Sequence, residues 1–217
     1  MPHHKKLAWI VAAVAALCGH AVAQSPLFLL GFEPPQYKHY AGGMRIQNWE
    51  GTNGLMDFGP DNSRAKEAKW SLRLSFDCSG RDPDRIGGEW YVDLQDTPAG
   101  LLDLCNTVLT AWVFVPKEAV GDHKRPNGLQ LFVKDAEDWR GLYSSWHNAQ
   151  SGWMKLTLPV SANPRAPAGG GWMAPGFDPS AIRCIGVKYA IGTGSSRAFK
   201  GSLYLDGVKV VAEEDGK

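Results

Sequence analysis

From residue 27 to residue 211 the chain repeats one pattern: short runs in which apolar and polar side chains alternate, separated by Gly, Pro, Asn and Asp. Period two belongs to the β-strand, whereas the 3.6-residue period of an amphipathic helix is almost absent. The pattern predicts strands over residues 27–33, 43–49, 69–77, 88–95, 107–116, 128–135, 140–148, 152–160, 182–192 and 201–211. About ten strands with one greasy and one polar side predict an all-β domain, two antiparallel sheets packed as a sandwich or jelly roll.

Alternation also assigns directions. Leu72, Leu74 and Phe76 share a side, as do Trp90, Val92 and Leu94; Leu129, Leu131 and Val133; Met154, Leu156 and Leu158; and Ile185, Val187, Tyr189 and Ile191. These are the expected core. The opposite sides carry Ser71, Arg73 and Ser75, then Tyr91 and Asp93, then Gln130, Phe132 and Lys134, then Trp153, Lys155 and Thr157. In the run 107–116, the aliphatic side of Ala111, Val113 and Val115 is placed inward and Trp112 and Phe114 outward.

Residues 1–23 have a basic start, an apolar stretch from Leu7 to Cys18 and the small residues "AVA", the layout of a secretory signal peptide cleaved after Ala23. The expectation is a secreted or periplasmic single domain over 24–217, with no membrane segment after cleavage. Loss of Lys5 and Lys6 from the 23 Lys and Arg leaves 21, against 22 Asp and Glu. Such a balance offers no basic field for nucleic acid. Three cysteines remain, Cys78, Cys105 and Cys184. An oxidising compartment permits one bridge, for which Cys78 and Cys105 are the preferred pair, leaving Cys184 as a small buried hydrophobe.

Catalytic patterns are weak. Glu89, Asp93 and Asp96 in "EWYVDLQD" are the nearest approach to a hydrolase acid cluster, but their spacing differs from the paired carboxylates that retaining hydrolysis needs. Without catalysis they read as a solvated strand face. Arg73, Tyr91, Gln130 and His147 supply the residue types of a lyase site. "GTGSS" lacks the Lys of a phosphate loop, and "DCSGRDPDR" lacks the distal Glu of a calcium loop. No HExxH or GxSxG occurs.

Taken in order, "LLGFE", "EAKWSLRLSF", "LTAWVFVP", "LQLFVKDAEDWRGLYSSW", "SGWMKLTLPV" and "FDPSAIRCIGVKYAI" followed by "GSLYLDGVKV" resemble the jelly-roll carbohydrate-binding modules of bacterial glycoside hydrolases, within the galactose-binding-like sandwich group. The resemblance covers nearly all of the chain after residue 23. It implies a polysaccharide or oligosaccharide ligand, a hydrolase as possible partner, and a structural calcium ion. By position the calcium would be held by Glu33, Asp206 and the backbone near Lys69. Asp206 needs a partner in any case, because an unpaired buried charge costs several kcal/mol or more. "LDGV" is equally the Asp-Gly signature of a two-residue hairpin, which would place Asp206 in a turn.

Eight Trp follow residue 23. Trp70, Trp90 and Trp112 lie within strands and read first as core. Trp49, Trp139, Trp146, Trp153 and Trp172 fall at strand ends, on polar sides or in the loop "NPRAPAGGGWMAPG". An indole stacks on the C–H face of a sugar while neighbouring amides and cations bind its hydroxyls. The expected carbohydrate contacts are therefore Trp139, Trp146, Trp153 and Trp172, with Arg73, Tyr91 and Gln130 as polar partners. The reading is a non-catalytic polysaccharide-binding protein. A lyase or hydrolase on the same fold and an adhesion or protein-interaction module are the alternatives.

Overall fold

The computed structural model describes residues 26–48, 54–79, 87–192 and 199–213. The signal segment, Trp49 and most of "DCSGRDPDR" and "GTGSS" lie outside the described residues. The strands are β1 (Phe28–Leu30), β2 (Met44–Asn48), β3 (Leu55–Asp61), β4 (Ser71–Asp77), β5 (Gly87–Asp93), β6 (Thr107–Val115), β7 (Gly121–Asp122), β8 (Arg125–Pro126), β9 (Gly128–Asp135), β10 (Gly141–Tyr143), β11 (His147–Asn148), β12 (Gly152–Val160), β13 (Trp172–Met173), β14 (Ile182–Ala190) and β15 (Lys200–Ala212). One helix, α1 (Pro34–Tyr40), follows β1. Its prolines occupy the first turn, where a missing N–H costs nothing, and Lys38 and His39 complement the dipole at its last turn.

Two large antiparallel sheets and the two-stranded ribbon β7-β8 form among the described residues. Sheet A runs β12-β6-β15-β4-β3 with β1 also on β15; sheet B runs β13-β10-β9-β14-β5-β2 with β11 also on β9. Their inner faces close one core: Leu72, Leu74, Phe76, Leu109, Val113, Leu156 and Leu203 from sheet A meet Trp90, Val92, Leu131, Val133, Ile185, Val187 and Tyr189 from sheet B. Each such burial contributes roughly 1.5–3 kcal/mol. The expected core is in place, except that Met154 is only half-buried, and β6 points its aliphatic side inward as expected.

Four differences from the sequence reading have physical causes. Strand β3, with Gly59 and Pro60, lies where the alternation predicted no strand; it is an edge strand paired only to β4, so the proline breaks no second ladder. The run 140–148 splits into β10 and β11. The Asp206–Gly207 hairpin does not form: β15 continues through a bulge, with a register shift between Asp206 and Lys209 and Gly207 at φ 57°. Cys78 and Cys105 are separate thiols. Cys78 follows Asp77, which pairs with Lys200 at the start of β15, whereas Cys105 precedes Thr107, which pairs with Ala212 at its end. Twelve residues of strand, about 40 Å, separate those two ends.

Candidate functional site

The outer face of sheet B is built by register. Even-numbered positions of β9, those of β14 from Cys184 on and odd-numbered positions of β5 point away from the core, in successive rows of which three run from the Tyr143 end to the Gly128 end. One holds Tyr143, Phe132, Gly186, Tyr91 and Arg45; the next Gln130, Lys188, Glu89 and Gln47; the third Gly128, Ala190 and Gly87. Gly186 is required where it stands. A Cβ there would fall 2.4 Å from Phe132 Cζ, because that ring lies across the strand. Tyr143 stacks on Phe132 with centroids 5.0 Å apart, and Trp172 of β13 tilts against Tyr143 at 5.6 Å.

Charges on this face are matched. Glu89, only 4% exposed, accepts from the Tyr143 hydroxyl at 3.0 Å and from Lys134 Nζ at 3.2 Å. Lys134 also donates to Gln47 at 3.3 Å. Burial first, then the neighbouring Glu89 carboxylate, pushes the Tyr143 hydroxyl far up, so it stays a donor. Arg183 forks onto Asp93 with bonds of 2.9 and 2.7 Å and holds that carboxyl below its usual range. Arg45 pairs with Asp96 at 2.7 Å. Cys184 is fully buried between Lys134 and Asp93, and burial raises its thiol well above the ordinary value.

Two loops set the rim. The β9–β10 turn places Trp139 at φ 54°, an uncommon conformation for a bulky residue, held by Asp135, which accepts the N–H groups of Asp138 and Arg140 and pairs with Arg140 Nε at 3.1 Å. Its indole meets Tyr91 edge-on at 5.7 Å and lies 4.8 Å from the Arg183 guanidinium. The loop before β13 is tied down by Gln130, whose Nε2 donates to the carbonyls of Ser144 at 2.7 Å and Gly170 at 3.1 Å. Gln130 is therefore a buried strut of the site. Trp146 lies on the same face, at the Gly128 end. Trp139 and Trp172 are 36% and 52% exposed; they are the exposed tryptophans among the described residues, and both edge sheet B.

Trp153 and Arg73 belong elsewhere. Both point outward from sheet A, Trp153 against Phe114 at 5.6 Å and Arg73 to Asp57 at 3.0 Å. The segment 139–153 therefore does not act as one tryptophan cluster, because its residues divide between the two layers. The lyase grouping of Arg73 with Tyr91, Gln130 and His147 is separated for the same reason. Phe132 and Lys134, read as a solvent face, are buried beneath Tyr143 and the rim loops. Glu89 and Asp93 are likewise buried rather than solvated, and Glu89, Asp93 and Asp96 each bind a different cation.

Glu33 and Asp206 come together. They line one cavity of about 570 Å³ with Glu67, Lys69 and Gly207. Asp206, 3% exposed, accepts the N–H groups of Lys66 at 2.7 Å, Glu67 at 2.9 Å and Gly207 at 2.7 Å. Glu33 accepts those of Lys69 and Trp70. The hard oxygen donors suit calcium chemically, and one oxygen of Glu33 takes no hydrogen bond among the described residues. Lys69, however, turns its N–H rather than its carbonyl to Glu33, and no group of three or more His, Cys, Asp or Glu among the described residues is arranged for a metal.

The sequence reading gave Glu89 no structural role and passed over Arg183 and Gly186. An isolated glycine in the apolar run "IRCIGVKYA" was the available signal, since it marks a close approach.

No protein-family model matches the chain, and no curated protein does. Solved structures match its fold. A carbohydrate-binding module of the β-sandwich superfamily, studied for promiscuous specificity, superposes with a TM-score of 0.55 at 16% identity over 87% of this chain and 63% of that one. An exo-β-agarase does so with a TM-score of 0.51 at 12% identity over 81% and 23%. The CBM27-1 module of Caldicellulosiruptor saccharolyticus, solved with mannohexaose, gives 0.47 at 16% identity over 87% and 98%. This chain thus spans less than two thirds of the first two. It has the jelly-roll β-sandwich fold of carbohydrate-binding modules, as the resemblance in its sequence implied.

Proposed function

We propose that the protein is a secreted, non-catalytic polysaccharide-binding protein whose ligand lies on the outer face of sheet B. The observation that carries this reading is the exposure of Trp139 and Trp172 at two edges of a face floored by Tyr143, Tyr91 and paired charges. Aromatic walls with a few fixed polar groups suit a sugar, whose C–H faces stack and whose hydroxyls bond. The acids on that face are committed to Lys134, Arg183 and Arg45, which supports binding without hydrolysis. Native gels cast with individual polysaccharides test it: at least one polymer retards the protein, with no reducing ends or unsaturated products released. Product release would make it an enzyme, and retardation by none would remove the reading.

Calcium held by Glu33 and Asp206 is the second part of the proposal, supported by their shared cavity. It would staple the start of the chain to β15. Chelation with EDTA then lowers Tm; an unchanged Tm means the backbone amides alone hold Asp206. Export through residues 1–23 and action beside a partner hydrolase complete the proposal and rest on the leader-like sequence and the module fold.

A further inference from the structure

A second cavity, of about 360 Å³, lies at the end of sheet B away from Trp139 and Trp172, lined by Arg125, Pro126, Trp146, Asn148, Ile191 and Gly192. Its wall is built deliberately by the sequence. Gly128 leaves room for the Trp146 indole, since a Cβ there would stand 2.0 Å from Trp146 Cε2. The residue is fixed from behind as well: the Trp146 backbone N–H donates to the Gly169 carbonyl at 2.8 Å, and Gly170 lies against its Cβ. The row Gly128, Ala190 and Gly87 carries almost no side chain, which leaves the Trp146 ring room to lie against the sheet and form one side of the cavity.

The cavity is separate from the platform around Tyr143. Gly128 is four residues from Phe132 along β9, or about 13 Å. Between them Gln130 is occupied with the carbonyls of Ser144 and Gly170. Two groups that line the cavity, the Trp146 indole N–H and the Asn148 side-chain amide, have no hydrogen bond among the described residues. An indole face, an indole N–H and an amide are what a single pyranose ring needs, one face for its C–H groups and donors or acceptors for its hydroxyls. The volume lies near the lower limit for ligand pockets.

From this we infer that the Trp146 cavity is a distinct subsite that takes one sugar ring, while the Trp139–Trp172 platform takes the body of the chain. The inference rests on the polysaccharide-binding reading and adds a two-station mode to it. Its test uses the whole exported chain, with methyl glycosides of glucose, galactose, mannose and xylose as single-ring probes and the polymer that retards the protein as the long one. Indole and amide N–H resonances are followed by NMR. At least one methyl glycoside shifts the Trp146 indole and the Asn148 amide and leaves those of Trp139 and Trp172 in place. Trp146→Ala, or the exposed and milder Asn148→Ala, weakens that probe about ten-fold or more and the polymer much less.

Methyl glycosides that shift only Trp139 or Trp172, or none at all while the polymer still binds, overturn the subsite and leave the platform standing. A polymer that shifts no tryptophan removes the platform reading and this inference together.

Discussion

The outer faces of the two sheets are made of the same materials and differ in what covers them. On sheet A, Trp153, Phe114 and Tyr204 lie in one row, and Trp112 stands beside them. The segment before β4 folds over that row: Arg64 sits 4.3 Å from the Phe114 centroid and Lys66 4.6 Å from that of Trp112, whose N–H donates to Glu67. Sheet B instead carries its aromatics on glycine positions and lifts Trp139 and Trp172 to the rim. Trp139 also has a cation at its ring, Arg183 at 4.8 Å, yet it and Trp172 stay exposed, whereas Trp112 and Trp153 are half-buried. The difference between the covered face and the proposed binding face is thus set by the loops, while the strands supply both with similar side chains.

The ion pairs give the widest contrast. Glu89→Ala leaves Lys134 buried without its carboxylate and Tyr143 without its acceptor, and should cost about 3–5 kcal/mol by urea denaturation. The equivalent change on sheet A, Glu67→Ala, removes a pair about one-third exposed and should cost roughly 0–1 kcal/mol. Equal losses would erase the distinction between the faces.

Asp206→Ala comes next, since it strands three N–H groups, two of them in the segment that carries the sheet A cover. A loss of about 2–3 kcal/mol is expected, together with faster quenching of Trp112 fluorescence. An unmoved cover would show that Arg64 and Lys66 hold it by themselves.

Glycines sharpen the comparison further. Gly186→Ala drives a Cβ into Phe132 and the Trp90 carbonyl and should destabilise by about 1–3 kcal/mol. Gly59→Ala on β3 meets nothing within 4 Å and should be neutral or stabilising by up to about 1 kcal/mol. The reverse ranking would mean that Phe132 does not lie on β14 as described.

The smallest effect concerns His147. Burial lowers its pKa below the ordinary 6.5, and its Nε2 has no partner among the described residues. The folded value lies below the unfolded one, so the stability it contributes is complete above the unfolded pKa and is lost as pH falls through the folded value. Melting curves between roughly pH 8 and pH 5 should show that decline, and His147→Asn should flatten it.

Much of this fold was legible because alternation is a direct record of burial. Leu72, Leu74 and Phe76, or Ala111, Val113 and Val115, announce their side of the sheet by position alone. The candidate site was legible only in part. Tyr91, Trp139 and Trp172 were named from residue type and place, but Trp153 and Arg73 share the same local pattern and face away. Which sheet a strand joins depends on pairings made across long stretches of chain, such as β12 with β6 and β9 with β14, and alternation carries no trace of them. Asp206 was recognised as needing a partner; that the partner is the backbone of Lys66, Glu67 and Gly207 depends on a bulge that replaces the hairpin suggested by Asp-Gly.

Retardation in polysaccharide gels by two double variants tests the assignment of the faces most directly. Trp139→Ala with Trp172→Ala strips the rim of sheet B, and Trp112→Ala with Trp153→Ala strips sheet A. The first should lose at least about ten-fold in affinity while keeping its circular dichroism, and the second should migrate like the native protein. Retention lost by the sheet A pair and preserved by the sheet B pair would contradict the account.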